Sequence, residues 1–146
     1  MLQVTKIFHF EMAHALAGYD GACKNIHGHS YELHVTIMAA VDDQHILPAP
    51  GFVIDFKEIK KIVNDCIIKQ LDHKLLLSSS YLNHHSHLKV LENLVIWQAE
   101  PTAENILIFI HRILKKQLAA SIRLARLKLF ETKDSYAEWL NTDIDY

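Results

Sequence analysis

The segment Cys23-Lys24-Asn25-Ile26-His27-Gly28-His29-Ser30-Tyr31-Glu32-Leu33-His34-Val35-Thr36-Ile37 carries a strand pattern and a set of metal donors together. Leu33, Val35 and Ile37 alternate with Glu32, His34 and Thr36, the period-two pattern of a strand with one buried face. Side chains two apart on such a strand share a face and lie about 6–7 Å apart. His27 and His29 can therefore tilt their rings onto a single ion. Gly28 between them has no side chain, so another chain or a substrate can approach closely. His14, on the preceding apolar stretch, completes a three-histidine set if that stretch pairs antiparallel with the strand. Three protein ligands leave a fourth position open, the catalytic rather than the structural arrangement of zinc. The plainer alternative is histidines that face solvent on a half-buried strand.

Upstream, Gln3 to Leu16 is aromatic and β-branched enough for a strand, with Lys6, Phe8 and Phe10 on one parity and Ile7 and His9 on the other. Downstream, Asp42-Asp43 and Pro48-Ala49-Pro50-Gly51 break the chain. Asp55 reads as a helix N-cap with Glu58 three residues on. Phe56, Ile59, Ile62, Val63, Cys66 and Ile67 follow as one apolar stripe, predicting a helix to about Leu71. Residues 74–100 run from Leu75-Leu76-Leu77 through serines and histidines to Leu94-Val95-Ile96-Trp97 and yield no clear element. Thr102 reads as the cap of a second helix whose buried side is Ile106, Ile110, Ile113, Leu114 and Leu118. Leu124 to Thr132 alternates again, and Tyr136 to Leu140 forms a short last strand. The order is ββααββ: an α+β fold with two helices on one face of an antiparallel four-stranded sheet.

The 146 residues, half of them apolar, suit one domain over 1–146 with a single core. A formal charge of −2 gives no basic surplus for nonspecific binding of nucleic acid. No apolar run approaches membrane-spanning length, and Met1-Leu2-Gln3-Val4-Thr5-Lys6 lacks a signal-peptide core, so the cytoplasm is expected. Two cysteines make no disulfide framework; Cys66 lies on the helical stripe, which leaves Cys23 as a free thiol.

A thiol near a divalent cation has its thiolate stabilised, so Cys23 is a candidate base or nucleophile. Asp72-His73 follows the first helix; neighbouring residues rarely face each other, so His73 is expected to point outward while Asp72 orients a ring or a backbone group. Acid and imidazole together can relay a proton. Glu131, at a strand end, can take two parallel hydrogen bonds from an amidine-like edge such as a pterin or a guanine offers. His84, His85 and His87 read as a solvated loop.

Together, Phe10-Glu11-Met12-Ala13-His14, Cys23 to Tyr31, Gly51 to Phe56, Leu71-Asp72-His73, Pro101-Thr102-Ala103-Glu104-Asn105 and Glu131-Thr132 resemble the 6-pyruvoyltetrahydropterin and 6-carboxytetrahydropterin synthase family, in order and over nearly the whole chain. The resemblance implies a tunnelling fold whose subunits join their sheets into a barrel, commonly a homohexamer of two stacked trimers. It implies zinc on His14, His27 and His29. It also implies Cys23 as proton acceptor, Asp72 and His73 as relay partners from a neighbouring subunit, and Glu131 as the anchor of the pterin ring, with Thr102 close by. The implied partner is a small pterin substrate, with neither nucleic acid nor membrane. The three residues between Cys23 and His27 resemble the carboxy-forming branch of the queuosine pathway, which releases triphosphate and acetaldehyde. The pyruvoyl-forming synthase and a non-catalytic zinc- or pterin-binding scaffold are the alternatives. Glu11-Met12, before Ala13-His14, and the length of residues 74–100 depart from compact members of the family.

Overall fold

A computed structural model describes residues 2–39, 46–119 and 122–142. Asp42-Asp43, read above as part of a chain break, lies outside the described residues. Strands β1 (Leu2–His14) and β2 (His27–Ala39) form a long antiparallel hairpin. Its register sets His14 opposite His27, Met12 opposite His29 and Phe10 opposite Tyr31. Directly opposed residues in an antiparallel pair share a face. The parity that buries Phe8, Phe10 and Met12 therefore carries His14 as well, and Ile7, His9 and Glu11 fall on the other side.

Helix α1 (Phe56–Val63) begins at Asp55, whose carboxylate accepts from the Lys57 amide at 2.8 Å. It continues through a π-helical turn (Asn64–Ile68) and a last turn (Lys69–Leu71). Ile59, Val63, Ile67 and Leu71 are buried at a spacing of four. In an α-helix of 3.6 residues per turn that spacing drifts about 40° per step. The wider π turn underwinds the helix and helps keep Ile67 and Leu71 over the sheet. Phe56, placed on the stripe by spacing, instead stands 48% exposed, because the first turn projects beyond the sheet-facing side.

The sheet has six strands, not four. Residues 74–100 supply β3 (Lys74–Ser78), the short helix α2 (Ser79–His84), a 3₁₀ turn (Ser86–Val90) and β4 (Leu94–Trp97). Helix α3 (Ala103–Gln117), β5 (Arg123–Thr132) and β6 (Ser135–Leu140) follow. The strand order is β4-β3-β1-β2-β5-β6, with β3 parallel to β1 and β4 parallel to β3, so the sheet is mixed rather than antiparallel. The two long helices, α1 and α3, bury their stripes in one core with Phe10, Leu33, Val35, Leu127 and Leu129. A second, smaller core holds Ala15, Leu75, Leu77, Tyr81 and Leu82, with Ala13 and Ala17 packed on it. Leu76, between Leu75 and Leu77, belongs to the main core, so β3 has apolar packing on both faces. Among the described residues no helix is long and apolar enough to cross a membrane.

The burial difference predicts that Ile59→Ala, at a position 1% exposed, lowers unfolding free energy by about 2–5 kcal/mol. Phe56→Ala should cost under about 1 kcal/mol. Urea melts of the two variants against wild type check the contrast.

Candidate functional site

His14 ends β1 and is 2% exposed. Its Nδ1 lies 2.7 Å from the Pro101 carbonyl oxygen, just ahead of α3. A carbonyl only accepts, so Nδ1 carries the proton and Nε2 keeps its lone pair. His27 repeats the device: its Nδ1–H donates to the Asn25 carbonyl at 2.8 Å. The two Nε2 atoms then face each other at 3.1 Å. Two lone pairs at that distance repel unless a proton or a cation lies between them.

His29 stands beside both rings, with centroids 5.2 Å from His14 and 4.9 Å from His27. The three donor atoms all lie within 4.8 Å of one another. Around tetrahedral zinc with bonds of about 2.0–2.1 Å, donors sit roughly 3.3–3.4 Å apart, so the widest pair needs only a small ring rotation. Burial lowers the pKa of His14 and His29, against the opposing pull of Glu131. It therefore favours the neutral imidazole that a metal requires. An all-imidazole donor set suits a borderline transition ion over magnesium or calcium. The residues thus fit a metal such as zinc, and both backbone carbonyls hold their ligands in the correct tautomer.

His14, Cys23, Thr102 and Glu131 line one cavity of about 320 Å³, with Tyr19 and Tyr136 on its wall. The Glu131 carboxylate comes within 3.9 Å of His14 Nε2, and the Tyr31 hydroxyl donates to it at 3.3 Å. Tyr31 is fully buried and stacked on Phe10 at 5.0 Å, with its hydroxyl pKa raised by that burial and by Glu131. Thr102 caps α3 by accepting from the Asn105 amide at 3.3 Å. Its hydroxyl proton is not used by that bond.

Asp72 and His73 do face each other. His73 has φ +59, a left-handed conformation that is uncommon outside glycine, and this turns its ring back on its neighbour. Its Nδ1 is 3.0 Å from Asp72 Oδ2, while Asp72 Oδ1 accepts from the Glu11 amide at 2.9 Å. That backbone bond, helped by His73, holds the Asp72 carboxyl below its ordinary pKa. His73 lines a different groove from Cys23, with Glu11, Gly28, His29 and Ser30. Within one chain His14 links the histidine triad to the cavity that Cys23, Thr102 and Glu131 line, while His29 of the same triad borders the groove of His73. A Cβ at Gly28 would meet the Met12 carbonyl at 3.5 Å and Ala13 at 4.0 Å, ordinary contacts, so this chain's own packing does not require glycine there.

His84 and His87 are exposed, as expected, but the segment is not a plain loop: His84 ends α2, His85 caps it, and His87 lies in the 3₁₀ turn. Among the described residues, the group of three or more donors able to hold a metal is His14, His27 and His29. Sequence reading missed the Pro101 carbonyl, which no side-chain pattern announces, and Tyr31. Tyr31 shares the parity of His27 and His29, and that periodicity was the signal available for it. The triad predicts one divalent ion per chain after dialysis, measured by atomic emission, and a drop to a small fraction of that for His27→Ala.

Residues 3–141 match the family model described as 6-pyruvoyl tetrahydropterin synthase. A Haemophilus influenzae protein named 6-carboxy-5,6,7,8-tetrahydropterin synthase is 34% identical over 145 residues, covering 95% of this chain and 99% of its own length. A Pyrococcus furiosus protein named dihydroneopterin monophosphate aldolase is 31% identical over 122 residues, covering 84% of this chain and 82% of its own. Among solved structures, Caenorhabditis elegans 6-pyruvoyl tetrahydropterin synthase superposes with a TM-score of 0.70 at 21% identity, over 97% of this chain and 96% of that one. That likeness speaks for the fold. With a family match over nearly its whole length and a full-length relative above 30% identity, the chain belongs to the 6-pyruvoyl tetrahydropterin synthase family.

Proposed function

We propose that this chain is a single-domain, zinc-dependent 6-carboxy-5,6,7,8-tetrahydropterin synthase acting in the cytoplasm. It converts 7,8-dihydroneopterin triphosphate and one water to 6-carboxytetrahydropterin, acetaldehyde and triphosphate. The observation that carries the reading is the three-histidine group, whose His14 lines the cavity that Cys23 and Glu131 also line. The near full-length likeness to the Haemophilus protein of that name favours the carboxy-forming branch.

Zinc held by His14, His27 and His29 would supply a Lewis acid for a substrate oxygen. Glu131 presents its carboxylate to the amidine-like edge of the pterin, and the Tyr31 hydroxyl fixes one of its oxygens. Cys23 as thiolate removes a proton from the substrate's side chain at the cation's edge of the cavity. Asp72 steadies the His73 ring, which carries a proton in the relay. The pair serving each Cys23 comes from a neighbouring copy, a reading supported by His73 and Cys23 lining different grooves of one chain. The working enzyme is then a homo-oligomer, two stacked trimers with sheets joined edge to edge.

Zinc-loaded protein given 7,8-dihydroneopterin triphosphate should release acetaldehyde and triphosphate together. Triphosphate without acetaldehyde would instead identify the pyruvoyl-forming reaction. Offering the monophosphate in parallel separates this reading from the activity in the Pyrococcus relative's name, and binding with no product would identify a scaffold.

Cys23→Ala should reduce turnover by about 10²-fold or more while the metal content stays at the wild-type level. Steady-state rates with metal analysis on the same samples test this, and normal turnover would remove Cys23 from its role.

A further inference from the structure

The loop that presents Cys23 runs from the end of β1 to the start of β2, and its own ties are local: the Lys24 and Asn25 amides donate to the Gly21 and Ala22 carbonyls at 3.2 and 3.1 Å. Its turn, Ala22–Lys24, is a single 3₁₀ turn with no side-chain cap and no buried residue. Across its neck, the Leu16 amide donates to the Cys23 carbonyl at 2.9 Å. Two further ties come from residues 74–100, the stretch that sequence patterning left without a role. The buried Tyr81 of α2 donates its hydroxyl to the Lys24 carbonyl at 3.1 Å, one residue beyond Cys23. At the loop's other side, the Glu100 carboxylate accepts from the Ala17 amide at 2.8 Å.

Both gripping side chains are themselves fixed. The Tyr81 amide donates to Ser78 Oγ at 3.0 Å, and the ring, 6% exposed, lies in the second core with Ala15 and Leu77. The His85 ring stacks on it at 4.2 Å, and His85 Nδ1–H donates to the Tyr81 carbonyl at 3.0 Å. The Glu100 carbonyl accepts from the Asn105 side-chain amide at 2.9 Å, which ties it to the first turn of α3 beside Thr102. The loop is thus held between two points that the core has already immobilised.

We infer that residues 74–100 act as a clamp on the Cys23 loop, with Tyr81 and Glu100 as positioning residues that hold the thiol in the cavity facing His14 and Glu131. This deepens the proposed function and rests on it for the role of Cys23. A proton acceptor works only from a fixed position, and misplacement of about 1 Å can cost about 10²-fold. Releasing either tie should therefore lower kcat and leave substrate affinity intact, since neither side chain reaches the substrate. A freed loop should also expose the thiol. One neutral hydrogen bond of about average strength corresponds to roughly a fivefold change in the released population.

The test uses zinc-loaded full-length protein and variants Tyr81→Phe, Glu100→Ala and Glu100→Gln. Iodoacetamide labelling resolved by peptide mass reads Cys23 separately from Cys66. Tyr81→Phe should speed Cys23 labelling about fivefold, and Glu100→Ala, which loses a bond to a charged carboxylate, about tenfold or more. Both should lower kcat severalfold with KM and metal content unchanged. Glu100→Gln keeps an oxygen acceptor and should recover most of both losses. Wild-type labelling rates in Tyr81→Phe and Glu100→Ala would overturn the clamp, including the case where they only lower the unfolding temperature. Full turnover by Cys23→Ala would instead overturn the role given to that thiol, and the labelling comparison would still decide the clamp.

Discussion

The proton on His14 Nδ1 is donated to the Pro101 carbonyl across a buried gap of 2.7 Å, and much of the site follows from it. The bond joins the end of β1 to the entry of α3, elements 87 residues apart in sequence. It fixes the imidazole tautomer, so that Nε2 points at His27 with its lone pair available. It also sets Thr102 beside the same cavity, since the cap residue follows Pro101 directly. Without it, a desolvated ring would sit with an unmatched donor in the core, at a cost of about 1–3 kcal/mol. The face that carries the three histidines and the chain leading into α3 are tied to each other by this bond.

Around it, the hairpin of β1 and β2 does most of the positioning. Cross-strand pairing alone puts His14 opposite His27 and Met12 opposite His29, so two ligands meet without any loop having to fold correctly. Phe10 and Tyr31 continue the same face into the core, and the stacked pair gives the Tyr31 hydroxyl a rigid base from which to hold Glu131. Sites built on strands hold their geometry better than sites on loops. Cys23, which lies in a loop, is the exception here.

Much of this was legible in the sequence because it rests on periodicity. The parity of Phe8, Phe10, Leu33, Val35 and Ile37, the caps Asp55 and Thr102, and the pairing of His27 with His29 all follow local rules. The strands β3 and β4 were not legible. A parallel strand buried on both faces reads as a continuous apolar run, and Leu75-Leu76-Leu77 carries no alternation to separate it from a helix, while β4 is a four-residue edge strand too short for a period to show. The facing of Asp72 and His73 was hidden for another reason. It depends on a left-handed backbone at a non-glycine residue, which the surrounding structure imposes and no propensity announces.

The placement of β3 has an energetic corollary. Leu76 faces one core while Leu75 and Leu77 face the other, so the strand cannot detach without opening apolar packing on both sides of the sheet. Local opening is cheapest where few such contacts are lost. Amides of this strand should then exchange with solvent only through near-global unfolding, and the seam between the two cores is among the slowest-breathing parts of the chain.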